Sequence, residues 1–318
     1  MVFWKSKPSY KPKTGDITLD SRQFITVMRT RPKFSEYSQA VGVIPAAQAL
    51  SDAFAENLRR RGANGYWSLA TMPAQTTATT LKFPDDAGLQ TFIGAIEQFL
   101  DIDLAKMGQR AAYLRKLKAQ AANGELLAQL QANTEPEASY YAPRAVPPPP
   151  PGAPPVPPKP QHLVDRSKGQ AWLKHGVQGS TAAFDQMVST YLKLDGTFPF
   201  GTDATILKTA WQAMVPQAPA YRGWNNTAAI QKYPSNIGGM KVLNDVIGDL
   251  SRTAMPPRGD NAWYGYALYL FAAIITTQAF TDGNKRAARF AYILMLLSGG
   301  VPMVVPNARL GGTLGDMQ

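Results

Sequence analysis

A mainly α-helical fold is predicted by three features of this 318-residue sequence. Two apolar segments, about Asp260–Thr277 and Asn284–Ser298, lie on either side of a short polar loop. A third segment, between residues 89 and 117, carries apolar residues at the three- and four-residue spacing of an α-helix. A proline-rich tract at 146–160 separates this segment from the C-terminal half, so we expect two helical parts joined by a linker.

The segment Asp260–Thr277 is predicted to form a buried central helix. Asp260 can accept hydrogen bonds from the N–H groups of the first turn, and no charged residue lies between Trp263 and Phe280. About 20 apolar residues would span a bilayer. Thr276 and its polar neighbours interrupt the apolar run, however, so we expect a core helix and no transmembrane segment.

The next helix is predicted from Asn284 to about Ser298, where two glycines come next, as is common after a helix C-terminus. Arg286 and Arg289 are three residues apart, which places them on one face of the helix. Lys285 points elsewhere. This geometry predicts two guanidinium groups near the start of the helix.

The polar loop between the two helices, Gln278 to Gly283, has the composition of a phosphate-binding turn. Free backbone N–H groups and the helix dipole favour an anion at a helix N-terminus. Arginine meets phosphate oxygens with two parallel hydrogen bonds, and Asp282 beside a phosphate is a typical magnesium arrangement. The alternative is an ordinary helix start with solvated arginines.

This region resembles the signature of the Fic/Doc superfamily, His-Pro-Phe-x-Asp/Glu-Gly-Asn-Gly/Lys-Arg-x-x-Arg. The residues that match it position by position are Phe280, Asp282, Gly283, Asn284, Lys285, Arg286 and Arg289. The segment 296–306 also resembles the stretch that comes after the motif in that family. The resemblance covers about residues 165–310 and implies a helical core with a short β-hairpin, the flap, over the active site.

The resemblance implies transfer of AMP or a related phosphate-containing group from ATP or another nucleotide to a hydroxyl of a protein target. Phe280 would anchor the loop, Asp282 would bind Mg²⁺, and Arg286 and Arg289 would hold the outer phosphates. The implied catalytic positions are Gln278, Asp282, Asn284 and Arg286, and the implied nucleotide-binding positions are Gly283, Asn284, Lys285, Arg286 and Arg289. Such chemistry works by positioning and charge neutralisation.

Gln278 stands where the family has its histidine, and Ala279 stands where it has proline. The histidine acts as general base on the target hydroxyl, a role that contributes about 10²–10⁴-fold, and a carboxamide has no suitable pKa for it. The two histidines of the chain, His162 and His175, lie elsewhere. Three accounts stay open: a reaction that needs no base at this position, a nucleotide-binding module without activity, or a substitution that silences an enzyme.

A flap is expected at Tyr221-Arg222-Gly223, with an ordinary turn as the alternative. Many family members carry an inhibitory helix that reads Ser/Thr-x-x-x-Glu-Gly/Asn. The segment that comes closest ends in Glu56-Asn57 but lacks the hydroxyl residue. Autoinhibition within the chain is therefore not predicted.

The predicted divisions are an N-terminal region, 1–140, a proline-rich linker, 141–164, and a Fic-like domain, 165–318. Proline favours the extended polyproline helix, so the tract 146–160 is either a stiff spacer or a ligand for SH3, WW or profilin-type grooves. In the N-terminal region we expect an α or α+β structure. Its predicted elements are a helix over Ala46–Arg61, one long helix or two over 89–117, and β or irregular structure over Asn64–Phe83.

The chain carries a net charge of +11 and no cysteine, which excludes disulfides and thiolate chemistry. Lys and Arg are concentrated in residues 1–34, a patch that suits an anionic lipid, a nucleic acid or an acidic partner, or forms a solvated tail. No nucleic-acid module accompanies it, so no nucleic acid is expected. Met1 does not precede an apolar signal core, so we expect a cytoplasmic protein or a bacterial effector or toxin delivered by a non-Sec route.

Overall fold

Helices dominate the structure, a computed structural model that describes residues 17–59, 75–76, 80–143, 158–175, 182–218 and 232–317, with the backbone alone for 52–59 and 75–76. The helices in these ranges are α1 Ser21–Met28, α2 Pro32–Val41, α3 Val43–Arg59, α4 Asp86–Ala122, α5 Glu125–Ala132, α6 Glu137–Tyr140, α7 Gln161–Lys174, α8 Ala182–Tyr191, α9 Thr205–Met214, α10 Asn236–Arg252, α11 Ala262–Thr277, α12 Asn284–Gly299 and α13 Ala308–Asp316. The strands are β1 Ile17–Asp20, β2 Gln75–Thr76 and β3 Thr80–Phe83. The predicted mainly α fold is confirmed.

Several predicted features lie outside the described residues. They are the flap Tyr221-Arg222-Gly223, most of the proline tract, most of the segment Asn64–Phe83, and the first sixteen residues, which hold part of the basic patch.

The described residues pack as two units. One contains residues 17–108 and 232–241, and the other contains 109–218 and 242–317. The limits of these packing units do not coincide with the predicted domain boundaries at 140 and 165, and those boundaries stay a prediction. The candidate site lies entirely in the second unit.

The first unit contains a small antiparallel sheet in the order β1-β3-β2. Ile17 pairs with Phe83 and Asp20 with Thr80. Alternate residues of β1 and β3 are buried, which is the pattern of a sheet with one face on a core. With these strands, the N-terminal region is α+β, one of the two predicted outcomes.

The helix α4 runs for 37 residues without a break, which decides between the one or two helices expected there. The helix α3 begins at Val43, three residues before the predicted start. Pro45 fits this earlier start because the first turn of a helix has no acceptor for the missing N–H group.

A buried carboxylate joins three segments of the first unit. Asp103 is 2% exposed and accepts hydrogen bonds from the hydroxyl of Tyr37 at 2.7 Å and from the backbone N–H of Ser235 at 2.5 Å. The Ser235 hydroxyl donates to it as well, at 2.6 Å. Burial, with the nearby Asp103 charge, raises the pKa of Tyr37 well above its ordinary value.

The second unit is built around α11 and α12, which pack along each other and are contacted by α5, α7, α8, α9 and α13. Nearly every residue of α11 from Trp263 to Thr277 is buried, as predicted for a central helix. Among the described helices, none has the length and apolarity needed to cross a membrane.

The ends of these two central helices are set by polar and glycine contacts. The helix α11 begins at Ala262, two residues after the predicted start, and the Asp260 carboxylate accepts from the Ala262 N–H at 2.8 Å. The helix α12 ends at Gly299. A Cβ atom on Gly299 would lie 2.4 Å from Trp263 Cδ2, so glycine permits the start of α11 to touch the end of α12. The two helices are therefore antiparallel.

Candidate functional site

A sharp corner at Gln278 ends α11 and begins the loop that leads to α12. Gln278 has φ 48° and ψ 43°, the left-handed region, which costs a non-glycine residue roughly 1–2 kcal/mol. Its N–H donates to Ile274 O at 3.2 Å, and its Nε2 donates to Ile275 O at 2.9 Å. Both hydrogen bonds satisfy carbonyl groups at the end of α11, which offsets the backbone strain.

Asn284 closes the loop on itself. Its buried side chain accepts from the Phe280 N–H at 3.0 Å and donates through Nδ2 to Phe280 O at 2.7 Å. The same Nδ2 donates to Gln278 Oε1 at 3.1 Å. Asn284 therefore fixes the loop through its side chain, while its own backbone begins α12.

Trp211, on α9, and Val215, the residue that caps the C-terminal end of α9, contact the loop from outside. The Trp211 ring stacks on Phe280 at 4.9 Å between centroids, and its Nε1 donates to Asp282 O at 2.7 Å. A Cβ atom on Gly283 would lie 2.7 Å from Val215 Cγ2, and Gly283 has φ 70°. Neither support was predicted from the sequence. Their four-residue spacing, which puts them on one helix face, is the signal that would have indicated a shared contact.

Asp282 is the accessible carboxylate of the loop. Its Oδ1 accepts from the Gly283 N–H at 2.5 Å, and its Oδ2 lies 3.4 Å from Arg286 Nη2. The Asp282 side chain is 60% exposed, so this ion pair contributes about 0–1 kcal/mol and exchanges readily for another partner. The described residues contain no group of three or more His, Cys, Asp or Glu side chains suited to a metal. A metal bound here would depend on Asp282 with ligand and water oxygens.

Arg286 lies in the first turn of α12, over Gly283. Its Nε and Nη2 are 3.2 Å from the place where a Gly283 Cβ would stand. Lys285 beside it is exposed, as expected for a residue that points away from the loop. Arg286 and the first N–H groups of α12 thus lie at the same helix end, where an anion is favoured.

Arg289 has different partners from Arg286. Its Nη1 donates to Trp172 O at 2.7 Å and also to His175 O, both at the C-terminal end of α7. Its guanidinium carbon lies 4.8 Å from the centroid of the Trp172 ring. Burial lowers the pKa of Arg289 from its ordinary value, and Glu135 opposes this. The two arginines therefore do not share one partner, although they are three residues apart.

The remaining predicted residues fall outside this arrangement. The His162 and His175 side chains are exposed at the two ends of α7. Glu56 and Asn57 lie on α3, where the structure describes only the backbone. The structure thus places five of the predicted residues together at the loop: Gln278, Asp282, Gly283, Asn284 and Arg286. Arg289 instead hydrogen-bonds to the C-terminal end of α7.

Comparison with known proteins identifies a shared fold. No protein-family model matches the chain, and no curated protein matches it. The crystal structure of the Fic domain containing AMPylator VopS is similar to it, with a TM-score of 0.57 and 17% sequence identity. The match covers 93% of this chain and 82% of that one. A likeness at this identity is one of fold, and it confirms the Fic-like fold expected from the motif.

Proposed function

We propose that this chain, which has the Fic fold, transfers AMP or a related phosphate-containing group from a nucleotide donor to a hydroxyl of a protein. One observation carries the proposal: the loop closed by Asn284 presents Asp282, Gly283 and Arg286 at the N-terminus of α12. Backbone N–H groups, a guanidinium and a carboxylate are the groups that bind a nucleotide phosphate with its metal ion. VopS, described as an AMPylator, has the same fold.

The proposed reaction exchanges a phosphoanhydride bond of the donor for a phosphate ester bond on the target hydroxyl. With ATP as donor, the target oxygen forms a bond to the α-phosphorus, and the bridging bond between the α- and β-phosphates breaks. Pyrophosphate leaves, and the hydroxyl proton passes to water. Arg286 and the N–H groups at the start of α12 hold the phosphate oxygens and stabilise the developing charge.

Mg²⁺ fits the proposed site through Asp282. The carboxylate is exposed, and Mg²⁺ needs only one or two protein carboxylates when phosphates and water supply its other ligands. The bound ion would neutralise charge on the phosphate oxygens. The weak pair between Asp282 and Arg286 would open, which leaves Arg286 for the phosphate.

Gln278 holds the loop in this mechanism and does not act as a base. Its amide donates to Ile275 O and accepts from Asn284 Nδ2, and a carboxamide has no pKa near neutral pH. Transfer to a hydroxyl therefore proceeds without the contribution of about 10²–10⁴-fold that a positioned base supplies.

The test is transfer of label from ATP labelled on its α-phosphate to the chain itself and to candidate proteins. We expect slow transfer by the unsubstituted chain, faster transfer by Gln278→His, and loss of transfer when Arg286→Ala is added. If Gln278→His binds ATP with Mg²⁺ but labels no protein, transferase activity is refuted.

A second function, nucleotide binding without transfer, is favoured by the engagement of both ends of the Gln278 amide. In that case calorimetry detects binding of ATP with Mg²⁺, binding falls in Arg286→Ala, and neither the unsubstituted chain nor Gln278→His transfers label. Absence of binding by the unsubstituted chain would exclude both functions.

The partner and location expectations from the sequence are part of this proposal. We propose that 146–160 binds an SH3, WW or profilin-type groove, and that the protein acts in the cytoplasm or as a delivered effector or toxin. Deletion of 146–160 is expected to abolish capture by such a groove while nucleotide binding is retained. Capture that survives the deletion would reject the proline-tract site.

A further inference from the structure

We infer that Arg289 acts as a tie, a side chain of α12 that hydrogen-bonds to the C-terminal end of α7, and that it is not a phosphate ligand. The donor site then holds the nucleotide through its first two phosphates. This inference rests on the proposed function and specifies its donor class. The donors are nucleotides that carry at least two phosphates, and a third phosphate is expected to add little to their affinity.

The hydrogen bonds of Arg289 are the first argument. Nη1 donates to two carbonyl oxygens, those of Trp172 and His175, and these charge-assisted bonds are stronger than bonds between neutral groups. A helix leaves its last carbonyl groups without partners, and a cationic side chain at this end satisfies them. Arg289 therefore has a structural role at the end of α7 through its Nη1.

The local field is the second argument. The C-terminal end of a helix carries partial negative charge, and the N-terminal end carries partial positive charge. Arg289 lies against the negative end of α7, whereas Arg286 lies in the first turn of α12, at its positive end. A phosphate drawn to Arg289 would also approach two carbonyl oxygens, which repel it. The same phosphate at Arg286 would meet backbone N–H groups.

The packing around Trp172 is the third argument. The indole that lies against Arg289 is 3% exposed and packs on Phe271 and Tyr292, with centroid distances of 6.2 and 5.6 Å. A Cβ atom on Gly169 would lie 2.6 Å from Ile293 Cγ2, so α7 already packs closely on α12. The guanidinium thus rests on a fixed surface, and its release would break contacts that the core supports.

These contacts set what the anion site can hold. Arg286, the start of α12 and a metal ion, which Asp282 would hold, would supply contacts for two neighbouring phosphates. A third phosphate would need another cation, and Arg289, which lies on the same face of α12 as Arg286, is held at the end of α7. Nucleoside diphosphates and their conjugates are therefore expected to bind about as well as triphosphates.

The experiment is calorimetry of the full chain with ATP, ADP and AMP, each with Mg²⁺. We expect the ATP and ADP affinities to agree within about threefold, and AMP to bind about tenfold more weakly, since one charge-assisted contact is worth roughly that factor. An ATP affinity at least tenfold above that of ADP would overturn the inference. This comparison uses the unsubstituted chain and needs no variant to fold.

Two matched variants test the tie itself. Arg289→Met keeps the apolar stem and removes the guanidinium, so we expect a Tm lower by about 5 °C and an unchanged ratio of ATP to ADP affinity. Arg286→Met should lower both nucleotide affinities with little change in Tm. A Tm unchanged in Arg289→Met, or a lower ratio of ATP to ADP affinity in that variant than in the unsubstituted chain, would contradict the tie.

Failure of this inference is distinct from failure of the proposed function. If ATP binds far better than ADP through Arg289, the function stands and the inference falls. If no nucleotide binds, both the proposed function and the proposed donor class are refuted. The Tm of Arg289→Met then decides by itself whether Arg289 stabilises the end of α7.

Discussion

The side-chain amides of Gln278 and Asn284 are joined by a hydrogen bond of 3.1 Å across the turn between the two central helices. Each amide is also bonded to backbone, Gln278 to Ile275 O and Asn284 to both polar atoms of the Phe280 peptide groups. The residue at the position of the family's base is therefore part of the framework of the loop. Its replacement affects the shape of the site as well as its chemistry.

The left-handed backbone of Gln278 predicts an unusual order of stability. Both Gln278→Gly and Gln278→Ala lose the two side-chain hydrogen bonds, but glycine adopts φ 48° without the penalty that a Cβ atom causes. We expect Gln278→Gly to be about 1 kcal/mol more stable than Gln278→Ala in urea unfolding. Equal stability, or a more stable alanine variant, would show that the corner carries no backbone strain.

The side chain of Asn284 predicts a large effect of a small change. Asn284→Asp keeps the acceptor for the Phe280 N–H but replaces the donor Nδ2 with a second oxygen, which faces Phe280 O and Gln278 Oε1. Unpaired buried acceptors destabilise, so we expect a loss of about 3 kcal/mol in the free energy of unfolding at pH 7. Asp282→Asn is the exposed control and should change it by under about 0.5 kcal/mol. Similar losses in the two variants would disprove the role of Asn284.

Asp282 predicts a metal-dependent effect on ligand binding. In Asp282→Asn the amide oxygen can still accept from the Gly283 N–H, but the charge that favours a divalent cation is gone. Calorimetry with ATP, with and without Mg²⁺, should show that Mg²⁺ strengthens binding to the unsubstituted chain and has little effect on the variant. A Mg²⁺ effect of equal size in both proteins would exclude Asp282 as the metal ligand.

The buried Tyr37 predicts a loss of stability at alkaline pH. Burial raises the pKa of Tyr37 in the folded protein, so its contribution to stability is fully present below the unfolded pKa of about 10. Above that pH the contribution is progressively lost, because the unfolded chain ionises while the folded protein keeps the hydroxyl neutral. Burial also raises the pKa of Tyr113, Tyr140 and Tyr264 to about 12, which adds to the same trend. We expect the free energy of unfolding to fall between pH 10 and 11 in both proteins. The slope for Tyr37→Phe should be smaller than that for the unsubstituted chain by up to about 1.4 kcal/mol per pH unit. Parallel curves for the two proteins would rule out this contribution.

The central helices and the loop could be predicted from the sequence because their information is local. A helix buried on all sides requires an apolar sequence, and Asp282, Gly283 and Asn284 are adjacent in the chain. The boundaries of α12 agree with the prediction to one residue, since glycine and asparagine mark its ends. The start of α11 was predicted two residues early because Asp260 caps it from outside the first turn.

The partners of the loop could not be predicted, because they depend on tertiary packing. Trp211 reaches Asp282 across 71 positions in the sequence, and Arg289 reaches Trp172 across 117. Spacing placed Arg286 and Arg289 on one helix face, but it did not show that α7 ends beside the second arginine. The same limit applies to Asp103, whose partners Tyr37 and Ser235 come from distant segments.

Because Asn284 hydrogen-bonds to the backbone of Phe280 within the same loop, the proposed phosphate site would already be formed before a ligand binds. Little conformational entropy then remains to be lost when the ligand is captured. Affinity at this corner would reflect the contacts themselves, and capture would not wait for the turn to become ordered.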